Sequence, residues 1–156
     1  MSPLYIFDLD GTLALIEHRL HHIKGPKKDW RAFFAACVDD KPNLPVLETL
    51  NRLRRGRAEI WVWSGRSDEV RKQTIQWLQK HRVFHAYWNP FRAPEMLRMR
   101  KAGDYRDDAV VKREWASEIE PPEWARLTAT FDDRDRVVKM WRDLGVPCFQ
   151  VAPGDF

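Results

Sequence analysis

Asp8-Leu9-Asp10-Gly11-Thr12 sets two carboxylates two residues apart, directly after the apolar run Leu4-Tyr5-Ile6-Phe7. Acids at the end of a buried strand repel one another and are costly to desolvate, so positive charge must be held beside them. A hard divalent cation that prefers oxygen ligands, Mg²⁺ foremost, meets that need. One carboxylate could then attack a phosphoryl group while the other manages the proton of the leaving oxygen. Gly11 lets the chain turn sharply off the strand, and Thr12 offers a hydroxyl to phosphate. The competing explanation is a strand that ends in an ordinary Asp-Gly turn.

Three later clusters have the same character. Ser64-Gly65-Arg66 follows the apolar Ile60-Trp61-Val62-Trp63 and is expected to open a helix. A hydroxyl, a glycine and a helix N-terminus would make a phosphate-binding corner, with Arg66 adding a forked contact. The plainer alternative is an N-cap turn with its arginine in solvent. Asp108 and Lys112 are four residues apart on one helix face. Lys112 could neutralise an attacking carboxylate and bind phosphate, or the two could form a surface ion pair of little energetic weight. Asp132-Asp133 ends a further apolar strand and repeats the electrostatic problem of the first motif. An N-cap accounts for one of these aspartates but not for both.

Periodicity and turn residues predict the elements that carry these clusters. Strands are expected at Leu4–Asp8, Ala58–Trp63, Val83–Trp88, Arg126–Phe131 and Pro147–Val151. Helices are expected at Asp29–Val38 with Asp29 as N-cap, Leu44–Arg55 closed by Gly56, Ser67–His81, Asp108–Glu118 and Asp135–Leu144. Asn89–Arg106 reads as an irregular excursion. Alternating strands and helices imply an α/β fold, a Rossmann-like parallel sheet with helices on both faces, whose ligands bind beyond the carboxyl ends of the strands. All three acidic or glycine-containing strand ends fall on that edge.

With 156 residues the chain suits a single domain, 1–156, with its own core. Its 44% hydrophobic and 32% charged residues exclude a disordered chain, and no run approaches the ~20 apolar residues of a membrane span. The absence of a leader-like N-terminus and the two distant cysteines, Cys37 and Cys148, lead us to expect a cytoplasmic protein with reduced thiols. A net charge of +4 suits a polyanionic ligand.

Asp-x-Asp-Gly-Thr, Ser-Gly-Arg, Lys and Asp-Asp, in this order, resemble the four motifs of the haloacid dehalogenase-like phosphatases. The stretch from Asp132 to Phe156 is similar to the C-terminal end of the phage polynucleotide kinase/phosphatase family. The 3′-phosphatase domain of that family also begins Asp-x-Asp-Gly-Thr-Leu-Ala, as Asp8 to Ala14 do here, and carries an arginine where Arg19 stands. Two departures stand out. The kinase motif G-x-x-x-x-G-K-[S/T] is absent from this sequence, and residues 17–41, expected as a small helical cap insert, match less clearly.

The resemblance implies a Mg²⁺-dependent phosphomonoesterase with an aspartyl-phosphate intermediate, most simply a polynucleotide or nucleotide 3′-phosphatase of nucleic-acid end repair. Asp8 would be the nucleophile, Asp10 the acid and base, and Lys112 the third catalytic group. Asp8, Asp10 through its carbonyl, Asp132 and Asp133 would hold the metal. Thr12, Arg19, Ser64, Gly65, Arg66 and Asp108 would surround the substrate phosphate. Phosphorylated nucleic-acid ends or nucleotides would be the substrate, with a separate kinase or ligase as partner, a homo-oligomer possible and no membrane. The alternatives are a phosphatase for 5′-nucleotides or other small phosphomonoesters, and a non-catalytic nucleic-acid-binding domain.

Other signals have bland explanations. His18, His21 and His22, and separately His81 and His85, could ligate a transition metal but have no third-ligand pattern. Trp61, Trp63, Trp77 and Trp141 suit the core. The loop Trp88-Asn-Pro-Phe91-Arg92 could stack on a base, and Arg52, Arg54, Arg55 and Arg57 could track a backbone.

Overall fold

The computed structural model describes residues 1–84 and 94–154. In chain order it runs β1 (Leu4–Phe7), β2 (Ala14–Leu15), α1 (Trp30–Ala35), β3 (Lys41–Pro42), α2 (Leu44–Arg55), β4 (Glu59–Ser67), α3 (Arg71–Lys80), β5 (Leu97–Arg100), α4 (Asp108–Ser117), α5 (Pro121–Arg126), β6 (Leu127–Asp132), α6 (Asp135–Asp143) and β7 (Cys148–Gln150). Five parallel strands form the main sheet in the order β5-β4-β1-β6-β7. The chain leaves β1 toward β4 and β5, then crosses back to β6 and β7. The strand order therefore reverses at β1, where an open α/β sheet has its binding crevice.

Each face of the sheet is covered, as the period-2 pattern requires. Phe7, Ile60 and Val62 point to one side, where Leu47, Leu50, Trp77 and Leu78 of α2 and α3 cover them. Leu4, Ile6, Trp61 and Trp63 point to the other, under Ala116, Val137, Val138 and Trp141 of α4 and α6. Trp63 sits between Trp115 and Trp141, with ring centroids 5.8 and 5.6 Å away. The tryptophans expected in the core are there, and both cysteines are buried free thiols.

Segment 16–40 is inserted between β2 and β3, which pair antiparallel and close its base. It holds a 3-10 helix, Glu17–His22, then α1, whose N-cap Asp29 accepts from the amide of Ala32 at 2.9 Å, then a 3-10 turn, Ala36–Asp39. No helix among the described residues is long and apolar enough to cross a membrane.

Three boundaries differ from the sequence reading. β4 continues through Ser67 with an irregularity between Ser64 and Ser67, so Ser64-Gly65-Arg66 belongs to the strand end. A 3-10 turn, Asp68–Val70, separates it from α3, and Ser67 caps that turn. The edge strand is Leu97–Arg100, within the stretch read as irregular. Its signal is short but amphipathic: Leu97 and Met99 are buried, while the guanidinium of Arg98 lies 5.3 Å from the Trp63 ring centre. In the strand expected at Val83–Trp88, Val83 and Phe84 form a bend and the rest lies outside the described residues. The third difference is α5, a single unit begun by Pro121-Pro122 just ahead of β6; proline at a first helical turn loses no hydrogen bond.

Candidate active site

Asp8 follows β1 directly, and its amide donates to the Phe131 carbonyl at 2.8 Å, extending the parallel ladder by one residue. Leu9 is fully buried, which directs Asp8 and Asp10 away from the core it fills. Gly11 turns the chain with φ of +85°. Its bare Cα is required twice over, because a Cβ there would stand 2.1 Å from Asp133 Oδ2.

Asp8, Asp132 and Asp133 are all buried, and each offers a carboxylate oxygen within 4.8 Å of the others. Lys112, pointing inward from α4, donates to Asp8 Oδ1 at 2.6 Å and to Asp132 Oδ2 at 2.7 Å. A surface pair between Asp108 and Lys112 is thus ruled out as the lysine's role. Burial works against the ammonium, but Asp132 and Asp8 outweigh it and hold Lys112 above its ordinary pKa. One lysine cannot balance three acids. Burial pushes Asp8 well above the usual carboxylate range, helped by Asp132 and Asp133 and resisted by Lys112. Burial, then Asp132, pushes Asp133 up to about 7. Asp133 Oδ1 and the hydroxyl of Thr12 are buried without a hydrogen-bond partner.

Asp10, two residues on, sits in the opposite environment. Arg19 Nη2 donates to its Oδ1 at 2.7 Å, and Arg66 donates to the same oxygen and to Oδ2 at 3.4 Å. Burial would raise its pKa, but Arg66 and Arg19 together bring it down to about 2. Both arginines are fully buried, so Arg66 is not the solvent-facing residue of a plain N-cap turn.

The partner of both is Asp40, which the sequence reading missed. Its carboxylate accepts from Arg19 Nε and Nη2, both at 2.7 Å, and from Arg66 Nη2 at 2.8 Å. His18 Nε2 lies 2.8 Å from it, and the Trp77 indole donates to its backbone carbonyl at 2.8 Å. The available signal was Asp39-Asp40 at the far end of the insert, one residue before a Lys-Pro break. The rings of His21 and His22 pack tilted against each other with centroids 3.9 Å apart. His81 packs on Trp77 at 4.4 Å, and His85 lies outside the described residues, as does the loop from Trp88 to Arg92. Arg54 is spent on the carbonyls of Arg82 and Val83 and on Asn51, which removes it from any backbone track.

Ser64 is buried, and its Oγ accepts from the amide of Arg66 at 3.2 Å. Gly65 lies against Asp108: a Cβ would stand 2.2 Å from Oδ1 of that carboxylate. The glycine is needed for space rather than for a left-handed turn. Asp108 pairs with Arg100 and, at 3.1 Å, with Arg134 Nη1. It holds cations at the rim, and as an anion it would repel phosphate.

Asp8, Asp132 and Asp133 offer hard oxygen donors, excess negative charge and one unsatisfied buried oxygen, a set that fits Mg²⁺. The geometry thus supplies an acid cluster short of positive charge and, at the same strand end, a separately held carboxylate paired with two buried cations.

The family model described as "Polynucleotide kinase PNKP phosphatase domain" matches residues 2–156. A protein of Autographa californica nuclear polyhedrosis virus named as a bifunctional polynucleotide kinase/RNA ligase is 29% identical over 141 residues, which are 90% of this chain and 18% of that protein. Among solved structures, a chain of the Pnkp1/Rnl/Hen1 RNA repair complex aligns with TM-score 0.78 and 32% identity, over 99% of this chain and 44% of that one. The class C acid phosphatase of Bacillus anthracis shares the fold, with TM-score 0.66 and 15% identity over 99% of this chain and 67% of that one. This chain spans less than half the length of the two repair proteins.

Proposed function

Since the chain belongs to the family of polynucleotide kinase PNKP phosphatase domains, and is accordingly a phosphoric monoester hydrolase, we propose that it removes 3′-phosphates from DNA or RNA ends. The product would be the 3′-hydroxyl that end joining requires. The observation that carries this reading is the buried trio Asp8, Asp132 and Asp133, bridged by Lys112 at the carboxyl edge of the sheet.

An Asp8 oxygen attacks phosphorus as the bond to the sugar 3′-oxygen breaks, giving an aspartyl phosphate and a free 3′-alkoxide oxygen. Asp10 gives that oxygen its proton. In the second half Asp10 takes a proton from water, the water oxygen attacks phosphorus, and inorganic phosphate leaves with Asp8 regenerated. A carboxyl held at about pKa 2 is a poor proton donor. Asp10 therefore serves only after the phosphoryl oxygens draw Arg19 or Arg66 away from it. The same exchange supplies those oxygens with buried positive charge. Lys112 opposes the protonation of Asp8 that burial favours and aims its carboxylate, and Thr12 and Ser64 offer buried hydroxyls to the phosphoryl oxygens. Mg²⁺ held by Asp8, Asp132, Asp133 and the Asp10 carbonyl would neutralise charge on the phosphoryl group.

The names of the similar proteins support a setting in nucleic-acid repair beside kinase and ligase activities. A panel of 3′-phosphorylated oligonucleotides and 3′- and 5′-mononucleotides, assayed with and without Mg²⁺, tests the reading. We expect Mg²⁺-dependent turnover with the 3′-phosphorylated strands preferred. A marked preference for 5′-mononucleotides would overturn it.

A further inference from the structure

The loop between β5 and α4 takes no part in the chemistry above, yet it lies on the same carboxyl edge of the sheet. Arg100, the last residue of β5, ties it to the phosphate corner. Its Nε donates to the Gly65 carbonyl at 2.8 Å, and its Nη1 donates to the carbonyls of Arg106 at 2.6 Å and Asp104 at 3.2 Å. Its Nη2 is held by Asp108. One guanidinium thus joins Gly65 to the residues on either side of Tyr105.

The loop is braced further on all sides. The amide of Asp104 donates to the Lys101 carbonyl at 3.1 Å, and that of Ala102 to Asp68 Oδ1 at 2.9 Å. Arg106 forks onto Asp104 at 2.7 to 3.2 Å and reaches Glu114 at 2.6 Å. Gly103 turns the chain with φ of +80°. Against this background Tyr105 is 86% exposed. A ring held in water on a pinned loop adds almost nothing to core burial, so what it can offer is a face. Exposed Lys101 and half-exposed Arg106 flank it, and Arg134 and Arg136 lie across Asp108 and Asp107. An exposed aromatic face beside Lys101 and a rim of ion-paired arginines, one side chain from the phosphate corner, matches a single nucleic-acid strand, whose bases stack without sequence preference and whose phosphates can exchange with the paired carboxylates.

We infer that Tyr105 is a stacking platform for a nucleobase at the 3′ end of the strand whose phosphate enters the Asp8 site. This rests on the nucleic-acid reading and specifies how the strand is gripped. It adds no chemical step. Stacking stabilises the bound strand and leaves phosphoryl transfer alone, so its loss enters KM rather than kcat.

The test compares wild type, Tyr105→Ala and Tyr105→Phe on a 3′-phosphorylated oligonucleotide and on the same strand with abasic sugars at its last two positions. Tyr105→Ala should raise KM on the intact strand about tenfold with kcat unchanged, the scale of one lost base–aromatic stack. Tyr105→Phe should stay within about twofold of wild type, and the abasic strand should be turned over alike by all three. A KM for the intact strand unmoved by Tyr105→Ala overturns the platform. So does an equal loss on both strands, which would mean that Tyr105 only supports its loop. Wild-type protein inactive on every nucleotide substrate but active on small phosphomonoesters defeats the parent reading, and the platform with it. The two failures are distinct, because one shows in the wild type and the other only in the variant.

Discussion

Asp8 and Asp10 are two residues apart and share one strand end, yet they occupy opposite electrostatic worlds. Asp8 and Asp132 share Lys112, and Asp133 feels the charge of Arg134, so that among the described residues three buried acids face fewer cations than they need. Asp10 stands with Asp40 between two buried arginines, a group whose charges cancel. The first group is incomplete without a cation, and the second needs nothing. One motif can therefore supply a nucleophile and a proton carrier: the chain leaves β1 after Phe7 and turns at Gly11, and the two carboxyls meet different partners that pull their proton affinities apart.

The sharpest way to break this division is Asp8→Asn. It should lower kcat by about 10⁴-fold or more while the thermal midpoint holds or rises, because one of three crowded acids is gone. Substantial residual activity would remove Asp8 as nucleophile. Lys112→Met should destabilise the metal-free protein by about 3–5 kcal/mol in urea titrations near pH 8, since it strips the lysine that bonds Asp8 and Asp132. The cost should shrink at pH 5, where Asp133 takes up a proton. Asp40→Asn loosens Arg19 and Arg66 together. Stability should fall by about 1.5–3 kcal/mol and kcat by about 10²-fold, with KM for an abasic phosphate little changed. An unchanged kcat would demote the balanced group to scaffolding.

The smallest effect is the most diagnostic of the contrast. Asp133 is raised from its ordinary 3.8 to about 7 by folding, so between those values the folded state binds more protons than the unfolded state. Stability of the metal-free protein therefore falls as pH rises across that window. Asp10, lowered to about 2, has the reverse sign: its contribution is intact above 3.8 and fades only as pH drops through 2. Added Mg²⁺ should raise the melting temperature by more degrees at pH 8 than at pH 5, read by scanning calorimetry. An equal shift at both values would argue against a cation among Asp8, Asp132 and Asp133.

Much of this was legible in the sequence, for a physical reason. The strands bearing Asp8 and Ser64 open with continuous apolar runs buried on both faces, the clearest local signal a parallel sheet gives, while the strand bearing Asp132 shows as the β-branched and aromatic Leu-Thr-Ala-Thr-Phe. Leu97–Arg100 escaped because a four-residue edge strand with alternating arginines follows a proline and looks like loop. Gly65 was noticed for the wrong property, since its lack of a side chain serves Asp108 rather than a turn. The paired acids Asp39-Asp40 hinted at a role, but the partners of Asp40 were out of reach: it meets Arg66 across 26 residues, and no periodicity records a contact of that kind.

The ribbon of β2 and β3 brings the two ends of the inserted segment together, but the segment is also fastened from within. Arg19 near its start and Asp40 at its close both belong to the charge-balanced group that grips Asp10. It therefore cannot be exchanged as a cassette. A graft that replaces 16–40 with a foreign lid, however well its ends are joined, strands Arg66 with half its counter-charge and leaves the proton carrier untethered.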